Sequence, residues 1–325
     1  MMMIMSEQIR TIAVVGSGYM GGGIGQTLAL AGHPVSLADV DAATAAAARD
    51  RLLAESDHFV AAGLFEPGST DVLLSDRLTA VDRIETAVDG ADYITEAVFE
   101  SRDVKRDTLR RICAGVGDGA VIGTNTSAIP ITELSAFVTR PERFLGVHWW
   151  NPAPFVPGVE LIRTADTSED AITRVETMIT AAGKSPARVS DSPGFVGNRL
   201  QFALYKEAAL VVEEGLATPE QVDAVVRSTF GFRLGFFGPF AIGDMAGLDV
   251  YAGAYESLQA AYGDRLAAPK ALTDAVAEGR LGTKSGGGLL DVPVDQLPAL
   301  VEYRNTAYQR LSALRHELGD PLGLS

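Results

Sequence analysis

The chain has 325 residues, of which 47% are hydrophobic, and a formal net charge of −15. This length and composition predict about two globular domains with a sizeable core, and they exclude a disordered chain. The acidic balance argues against binding to nucleic acid or to an anionic membrane surface, because both require a basic face.

Targeting and metal-binding signals are weak. The only cysteine is Cys113, so an intrachain disulfide and a cysteine metal cluster are excluded, and we predict no metal site. The first eight residues lack the basic start and the cleavage site of a signal peptide. Since no apolar run reaches about 18 residues, we expect a cytoplasmic protein that does not span a membrane.

The first predicted element is an apolar, β-branched strand from Ile9 to Val15. A G-x-G-x-x-G motif at 16–21 follows it directly, and a helical pattern then continues to Ala31. The next strand, residues 34–39, ends in an acid. A strand, a glycine-rich turn, a helix and an acid-terminated strand in this order are typical of a dinucleotide-binding unit.

Each position of this unit has a chemical reason. Gly16 allows the tight turn, Gly18 lets the main chain approach a pyrophosphate, and Gly21 lets the helix pack close to the strand. The free N–H groups of the helix N-terminus favour an anion. Asp39 would accept hydrogen bonds from a ribose diol and repel a 2′-phosphate, which favours NAD over NADP. The intervening Tyr19 and Met20 complete the predicted cofactor-binding turn.

Helices and strands continue to alternate, with predicted elements at 42–62 (helix), 93–97 (strand), 103–114 (helix) and 120–124 (strand). This alternation predicts a Rossmann-type, doubly wound α/β fold with a mostly parallel sheet. Glu100, Asn125 and Ser127 follow the ends of strands. Polar groups at the carboxyl ends of parallel strands face the ligand crevice, although helix or turn capping would also explain them.

The stretch 143–162 predicts two short strands joined by a stiff loop with three prolines. His148 ends the first strand, and Glu160 lies inside the second. A rigid connection of this kind can place an imidazole beside a carboxylate. We therefore predict that His148 is a catalytic base and that Glu160 orients it.

Strand signals stop after residue 190. Asp191–Gly194 predicts a turn and a helix start, and helical patterns follow at 195–213, 218–229, 239–261 and 297–318. We predict an NAD-binding domain over residues 1–190 and an all-helical C-terminal domain over residues 191–325.

Long motifs along most of the chain resemble those of the L-3-hydroxyacyl-CoA dehydrogenase family. These motifs are GSGYMGGGI (16–24), EAVFE (96–100), TNTSAIPITEL (124–134), RFLGVHWWNP (143–152), DSPGFVGNRL (191–200), GPFAIGDMAGLD (238–249) and GRLGTKSGGG (279–288). The resemblance implies that the chain oxidises an L-3-hydroxyacyl-CoA to the 3-oxoacyl-CoA with NAD. It also implies a homodimer, with a helical domain that completes the site.

The same resemblance assigns roles to individual residues. The implied catalytic residues are His148, Glu160, Ser127 and Asn198. The implied cofactor contacts, besides the glycine-rich turn, are Asp39, Glu100, Lys105, Ser127, Asn151 and Lys284.

Some features depart from the acyl-CoA pattern. Residues 52–76 contain no lysine or arginine, which suits the phosphates of coenzyme A poorly. Pro157 before VEL, the segment 198–208 and the arginine-bearing C-terminal helix are more similar to the L-gulonate 3-dehydrogenase branch. A dehydrogenase of a free 3-hydroxy acid, of the L-gulonate or carnitine type, is therefore the alternative. EAVFE, TNTSAIPITEL and GRLGTKSGGG favour the acyl-CoA substrate.

Two other classes of protein share parts of this pattern. Enzymes of the 3-hydroxyisobutyrate and 6-phosphogluconate type have a similar cofactor motif but use a lysine base, and the pair of His148 and Glu160 argues against them. A non-enzymatic NAD-binding or structural protein would not need the complete set of Ser127, His148, Glu160 and Asn198.

Overall fold

A computed structural model describes residues 8–319, so most of the N-terminal stretch tested for a targeting signal lies outside the described residues. One eight-stranded sheet forms its centre, in the strand order β3-β2-β1-β4-β5-β6-β7-β8. The strands are β1 Ile12–Val15, β2 Val35–Ala38, β3 Leu78–Ala80, β4 Tyr93–Glu96, β5 Val121–Thr124, β6 Phe144–Trp149, β7 Gly158–Arg163 and β8 Ser185–Ser190. Every neighbouring pair is parallel except β6 and β7. The predicted doubly wound fold is confirmed.

The central strands are buried on both faces, which explains why their sequences are continuously apolar. Successive side chains of β1 point to opposite faces. Val14 packs into one core with Ile24 and Leu28. Val15 belongs to the second core, on the other face of the sheet, together with Leu109.

Helices cover this sheet and connect its strands. In the N-terminal part they are α1 Tyr19–Leu30, α2 Ala42–Ala61, α3 Ser69–Val72, α4 Ile84–Val88, α5 Arg102–Gly115, α6 Ile131–Ser135 and α7 Glu169–Ala181. A five-residue π-helical segment follows α3 at Leu73–Arg77, and a short 3₁₀ turn precedes β6 at Pro141–Arg143. The predicted helices at 42–62 and 103–114 are confirmed within two residues at each end.

The two strands at the sheet edges, β3 and β8, were not predicted. Each has a neighbour on one side only, so half of its surface is free to be polar. The sequence of β8, SPARVS, is largely exposed. An edge strand of this kind lacks the apolar run that identifies the central strands.

The antiparallel pair of β6 and β7 confirms the predicted hairpin. His148 and Glu160 are direct partners across the pair. The connection between the strands, residues 150–157, is referred to below as the proline loop. Since direct partners in an antiparallel pair project to the same face, the ladder itself brings imidazole and carboxylate together.

The described part of the chain forms two compact units, which meet between residues 204 and 205 in the sequence. The division falls inside α8, Gly197–Glu213, and the predicted boundary at 190/191 precedes it. The turn predicted at Asp191–Gly194 is present, and the helix predicted from 195 begins two residues later, at Gly197. The backbone of Phe195 has a positive φ of 51°, which interrupts a helix. Asp191 accepts hydrogen bonds from the main chain and hydroxyl of Thr132, at the start of α6.

The second unit is helical, as predicted. Its helices are the rest of α8, α9 Pro219–Ser228, α10 Phe230–Leu234, α11 Pro239–Ala246, α12 Leu248–Tyr262, α13 Lys270–Ala277 and α14 Leu297–Leu318, with 3₁₀ turns at Gly263–Leu266, Thr283–Ser285 and Val294–Gln296. The predicted helical stretch 239–261 is two helices, because Gly247 adopts a φ of 101°. Among residues 8–319, no helix combines the length and the hydropathy that crossing a membrane would require.

Candidate active site

A cleft of about 780 Å³ opens at the carboxyl ends of the parallel strands, within the N-terminal unit. The predicted site residues in its wall are Gly16, Gly18, Tyr19, Met20, Asp39, Glu100, Ser127, His148, Asn151 and Asn198. Asn125 also lines it, and its side-chain oxygen accepts a hydrogen bond from the main chain of Trp149. The sheet thus brings residues from most of the N-terminal sequence to one crevice, as expected for an open α/β fold.

The three glycines of the motif differ in what surrounds them. Gly16 has a φ of 95°, and a Cβ there would meet the main chain of Ala97 at 2.7 Å. A Cβ at Gly21 would meet the carbonyl oxygen of Gly16 at 1.8 Å. By contrast, a Cβ at Gly18 would have no protein atom within 4 Å. Packing therefore requires glycine at two positions, whereas Gly18 leaves open space beside the helix N-terminus, where a pyrophosphate fits.

Asp39 ends β2 beside this turn. One of its carboxylate oxygens accepts hydrogen bonds from the N–H and the hydroxyl of Ser17, both at 2.6 Å. The other accepts from the N–H of Val40 at 2.8 Å. The acid is thereby held against the glycine-rich turn, where it lines the cleft.

His148 and Glu160 form a buried pair, of which His148 lines the cleft. The Nδ1 atom of His148 lies 2.8 Å from Oε2 of Glu160, and the two residues are 5% and 7% exposed. The remaining carboxylate oxygen accepts hydrogen bonds from the N–H groups of Val196 and Gly197, at 3.1 and 2.9 Å. Since Nδ1 is taken, Nε2 is the ring nitrogen that remains for a group in the cleft.

The carboxylate of Glu160 is stabilised in its charged form. Burial alone would raise its pKa. The hydrogen bond and charge of His148, together with the N–H groups of Gly197 and Val196, outweigh that effect and lower the pKa below its usual range. An ionised Glu160 at neutral pH accepts the hydrogen bond of Nδ1–H and so fixes the tautomer of His148 that leaves Nε2 without a proton.

Ser127 and Asn198 are also in contact. The side-chain amide of Asn198, the second residue of α8, donates to the carbonyl oxygen of Ser127 at 2.9 Å. Both residues line the cleft beside His148. The second N–H of the amide and the serine hydroxyl are donors of the kind that can hold a substrate oxygen.

Glu100 organises the turn that carries Ser127. It accepts hydrogen bonds from the hydroxyl of Thr126 and from the N–H groups of Ser127 and Ala128, the latter two at 3.1 and 3.2 Å. Burial opposes its ionisation, but Thr126, Lys105 and Ser127 together lower its pKa. A carboxylate that accepts three hydrogen bonds from one turn fixes the shape of that turn.

Lys105 does not line the cleft. Its side chain is 1% exposed and its Nζ atom lies 2.8 Å from Glu96 and 3.2 Å from Glu100. The lysine therefore supports Glu100 from behind, and it reaches the cleft only through that carboxylate. The sequence does not show whether Lys105 lines the cleft or lies behind it, because a lysine in the first turn of a helix can point either way.

Lys284 lies in the C-terminal unit, in a 3₁₀ turn, where it pairs with Asp249. Its contact with a cofactor stays a prediction. The cleft wall also contains residues that sequence reasoning did not identify, namely Val40, Ile84, Phe99, Val104, Thr108, Arg111 and Trp150. Most are apolar and look like core residues in the sequence. The exposure of Phe99, 78%, is visible only in the structure.

Comparisons with known proteins identify the family of the chain. A family model described as the NAD binding domain of 3-hydroxyacyl-CoA dehydrogenase matches residues 11–192, and the model of its C-terminal domain matches residues 194–292. A 5-formyl-3-hydroxy-2-methylpyridine 4-carboxylate 5-dehydrogenase from Mesorhizobium japonicum is 35% identical over 293 residues, covering 90% of this chain and 94% of that protein.

Two further relatives have acyl-CoA names. A 3-hydroxybutyryl-CoA dehydrogenase from Mycobacterium tuberculosis is 35% identical over 287 residues, covering 87% of this chain and 99% of that protein. The crystal structure of a 3-hydroxyacyl-CoA dehydrogenase from Archaeoglobus fulgidus has a TM-score of 0.78 and 30% identity, with 95% of this chain and 99% of that chain covered. The chain therefore belongs to the 3-hydroxyacyl-CoA dehydrogenase family and is an NAD-dependent oxidoreductase that acts on a CH–OH group.

Proposed function

We propose that this enzyme oxidises an L-3-hydroxyacyl-CoA to the 3-oxoacyl-CoA, with His148 as the base and Glu160 as its orienting partner. The observation that carries the proposal is the 2.8 Å contact between Nδ1 of His148 and the ionised carboxylate, with the ring at the cleft wall. The acyl-CoA names of both family models and of the mycobacterial relative support the choice of substrate.

The cofactor fits the residues present. The glycine-rich turn would hold the pyrophosphate, Asp39 the ribose, and Glu100, Ser127 and Asn151 the half of the cleft next to His148. Bound NAD supplies the nicotinamide ring that accepts the hydride from the carbinol carbon.

The protein residues handle the proton and the developing charge. Nε2 of His148 removes the hydroxyl proton as the carbon–oxygen double bond forms, and Glu160 stabilises the resulting imidazolium. Ser127 and Asn198 donate hydrogen bonds to the substrate oxygen while it carries negative charge. Positioned proton transfer of this kind contributes roughly 10²–10⁴-fold to the rate.

A free 3-hydroxy acid is the second candidate substrate. Residues 52–76 contain no lysine or arginine for the phosphates of coenzyme A, and the segment exposes Asp57, Glu66 and Asp71. The name of the Mesorhizobium relative describes a pyridine carboxylate without coenzyme A. Arg111 lines the cleft but is already paired with Glu85, so its charge is not free to bind a phosphate.

The absorbance of NADH separates the two candidates. Acetoacetyl-CoA is offered with NADH, and free 3-hydroxybutyrate, L-gulonate and carnitine are each offered with NAD. We expect turnover with the CoA thioester. Turnover with free acids alone would replace the first candidate by the second.

The variant His148→Gln tests the base. We expect turnover to fall roughly 10²–10⁴-fold, while the affinity for NAD, measured by calorimetry, stays close to that of the wild type. The exposed His316, changed to Gln, is the matched control and should leave turnover unchanged. Wild-type turnover in His148→Gln would refute the assignment.

A homodimer completes the proposal. Helix α8 exposes large apolar side chains, including Leu200 (57%), Phe202 (64%) and Tyr205 (72%). Exposed apolar side chains clustered on one helix commonly mark a surface that a partner covers. Analytical ultracentrifugation should give twice the mass of the chain, and a monomer at micromolar concentration would contradict it.

A further inference from the structure

Lys184 is a buried cation without an acidic partner. It follows α7 and directly precedes β8, and it is 8% exposed. Its Nζ atom lies 2.6 Å from the carbonyl oxygen of Ala153, 2.9 Å from that of Pro154 and 3.0 Å from that of Val156. Within residues 8–319 no carboxylate forms an ion pair with it. Burying an ammonium group costs free energy unless its donors are satisfied, and here three carbonyls satisfy all three.

The three carbonyls belong to the proline loop and have no other donor among the described residues. The loop cannot supply donors of its own, because Pro154 and Pro157 have no N–H group. The N–H groups of Phe155 and Val156 both donate to the carbonyl oxygen of Pro152. Without Lys184, three main-chain acceptors would be left unpaired, the carbonyl of Ala153 buried and those of Pro154 and Val156 partly buried. Each such group costs about 1–3 kcal/mol, so the ammonium determines whether this loop has one conformation.

The loop contacts both sides of the site. Its first residues, Trp150 and Asn151, line the cleft. The ring of Trp150 lies 5.1 Å from that of His148, measured between centroids. On its other side the loop packs against α1, where Pro154 would lie 3.3 Å from a Cβ at Gly23. Lys184 itself lies 5.8 Å from the ring of Trp149, the last residue of β6.

We propose that Lys184 is a positioning residue for the reaction. Its ammonium group fixes the proline loop and thereby holds Trp150 and Asn151 in the cleft. Through Trp150 it also holds the ring of His148 in the orientation that receives the proton. This inference rests on the proposed role of His148, since it concerns how that residue is held. A displacement of about 1 Å in such a group can cost roughly 10²-fold in rate.

The test compares Lys184→Met, Lys184→Ala and the control Lys270→Met, which removes an exposed lysine paired with Asp274. We expect Lys184→Met to lower kcat roughly 10²-fold and to leave the dissociation constant of NAD within about threefold of the wild type. In Lys184→Ala, added butylammonium should restore turnover at least tenfold, whereas butanol, a neutral molecule of the same length, should not. Lys270→Met should match the wild type.

A second measurement is independent of turnover. The only two tryptophans of the chain, Trp149 and Trp150, are both next to Lys184 or on the loop that it binds. Their fluorescence should shift to longer wavelength in Lys184→Ala and return with butylammonium.

The outcomes separate the two proposals. A wild-type enzyme that turns over no substrate of the panel contradicts the proposed function. The tryptophan fluorescence would still test whether Lys184 fixes the proline loop. Turnover of Lys184→Met within threefold of an active wild type would overturn the inference alone, as would equal effects of butylammonium and butanol on Lys184→Ala. If Lys184→Met does not fold, rescue of Lys184→Ala by the amine decides the question.

Discussion

On the proposed cofactor side of the cleft, the groups that would bind NAD are main-chain N–H groups and the carboxylate of Asp39. On the proton-transfer side they are side chains with specific partners: Nδ1 of His148 donates to the buried carboxylate of Glu160, and the amide of Asn198 donates to the carbonyl oxygen of Ser127. The cofactor side depends on glycines, which have no side chain, at particular positions. The proton-transfer side depends on side chains that each form a particular hydrogen bond. The two sides should therefore respond to mutation in opposite ways, with added atoms damaging one and lost hydrogen bonds the other.

The largest effect is expected at Gly21. In Gly21→Ala the new Cβ would lie 1.8 Å from the carbonyl of Gly16, so the turn must move. Overpacking of this kind costs about 3 kcal/mol, and we expect the free energy of unfolding and the affinity for NAD to fall together. Urea unfolding and calorimetry measure the two quantities.

Gly18→Ala is the matched control for that experiment. No protein atom lies within 4 Å of its Cβ, so the free energy of unfolding should change by less than about 0.5 kcal/mol. The Cβ would nevertheless occupy the space reserved for the pyrophosphate, and NAD affinity should fall about tenfold, or 1.4 kcal/mol. Equal stability of both variants would show that the packing at Gly21 is not essential.

The next largest effect is expected on the proton-transfer side, from a change at Glu160. Glu160→Gln keeps the shape of the side chain but removes its charge, so an imidazolium at His148 loses its anionic partner. We expect kcat to fall roughly 10²-fold and the acid limb of the kcat/KM profile to move to lower pH. Glu169→Gln, an exposed glutamate paired with Arg188, should leave both unchanged. An unaltered profile in Glu160→Gln would reduce Glu160 to a structural role.

The smallest effect concerns stability in acid. The pKa of Glu160 is lowered in the folded protein, so the stabilisation is fully present above its unfolded pKa of about 4.3. It is lost as the pH falls through the lower folded value. Glu160→Gln should be less stable than the wild type by about 1–3 kcal/mol near neutral pH, and the gap should narrow below about pH 4. A constant gap in urea unfolding across this range would contradict the ionised state.

The sequence predicted the parts of this molecule that local patterns encode. The central strands and the glycine-rich turn have such patterns, and so does the hairpin of His148 and Glu160. The edge strand Ser185–Ser190 lacks one because its surroundings are polar. The roles of Lys105 and Lys184 could not be predicted either, since each depends on partners that only the folded chain brings close. For Lys184 those partners are carbonyl groups, which every residue has.

The antiparallel pairing of β6 with β7 has a consequence for how the base pair arises. His148 and Glu160 are only 12 positions apart in the chain, so closing the loop between them costs little entropy. The contact of Asn198 with Ser127 spans 71 positions, so it can form only after most of the N-terminal unit has folded. The two residues of the proposed proton transfer thus come from one short segment, while the N–H groups of Val196 and Gly197 that hold Glu160 come from a later one. A designer who wishes to change the substrate can alter the residues around the hairpin and leave its register untouched, because slipping the ladder by one residue would turn the acid away from the imidazole.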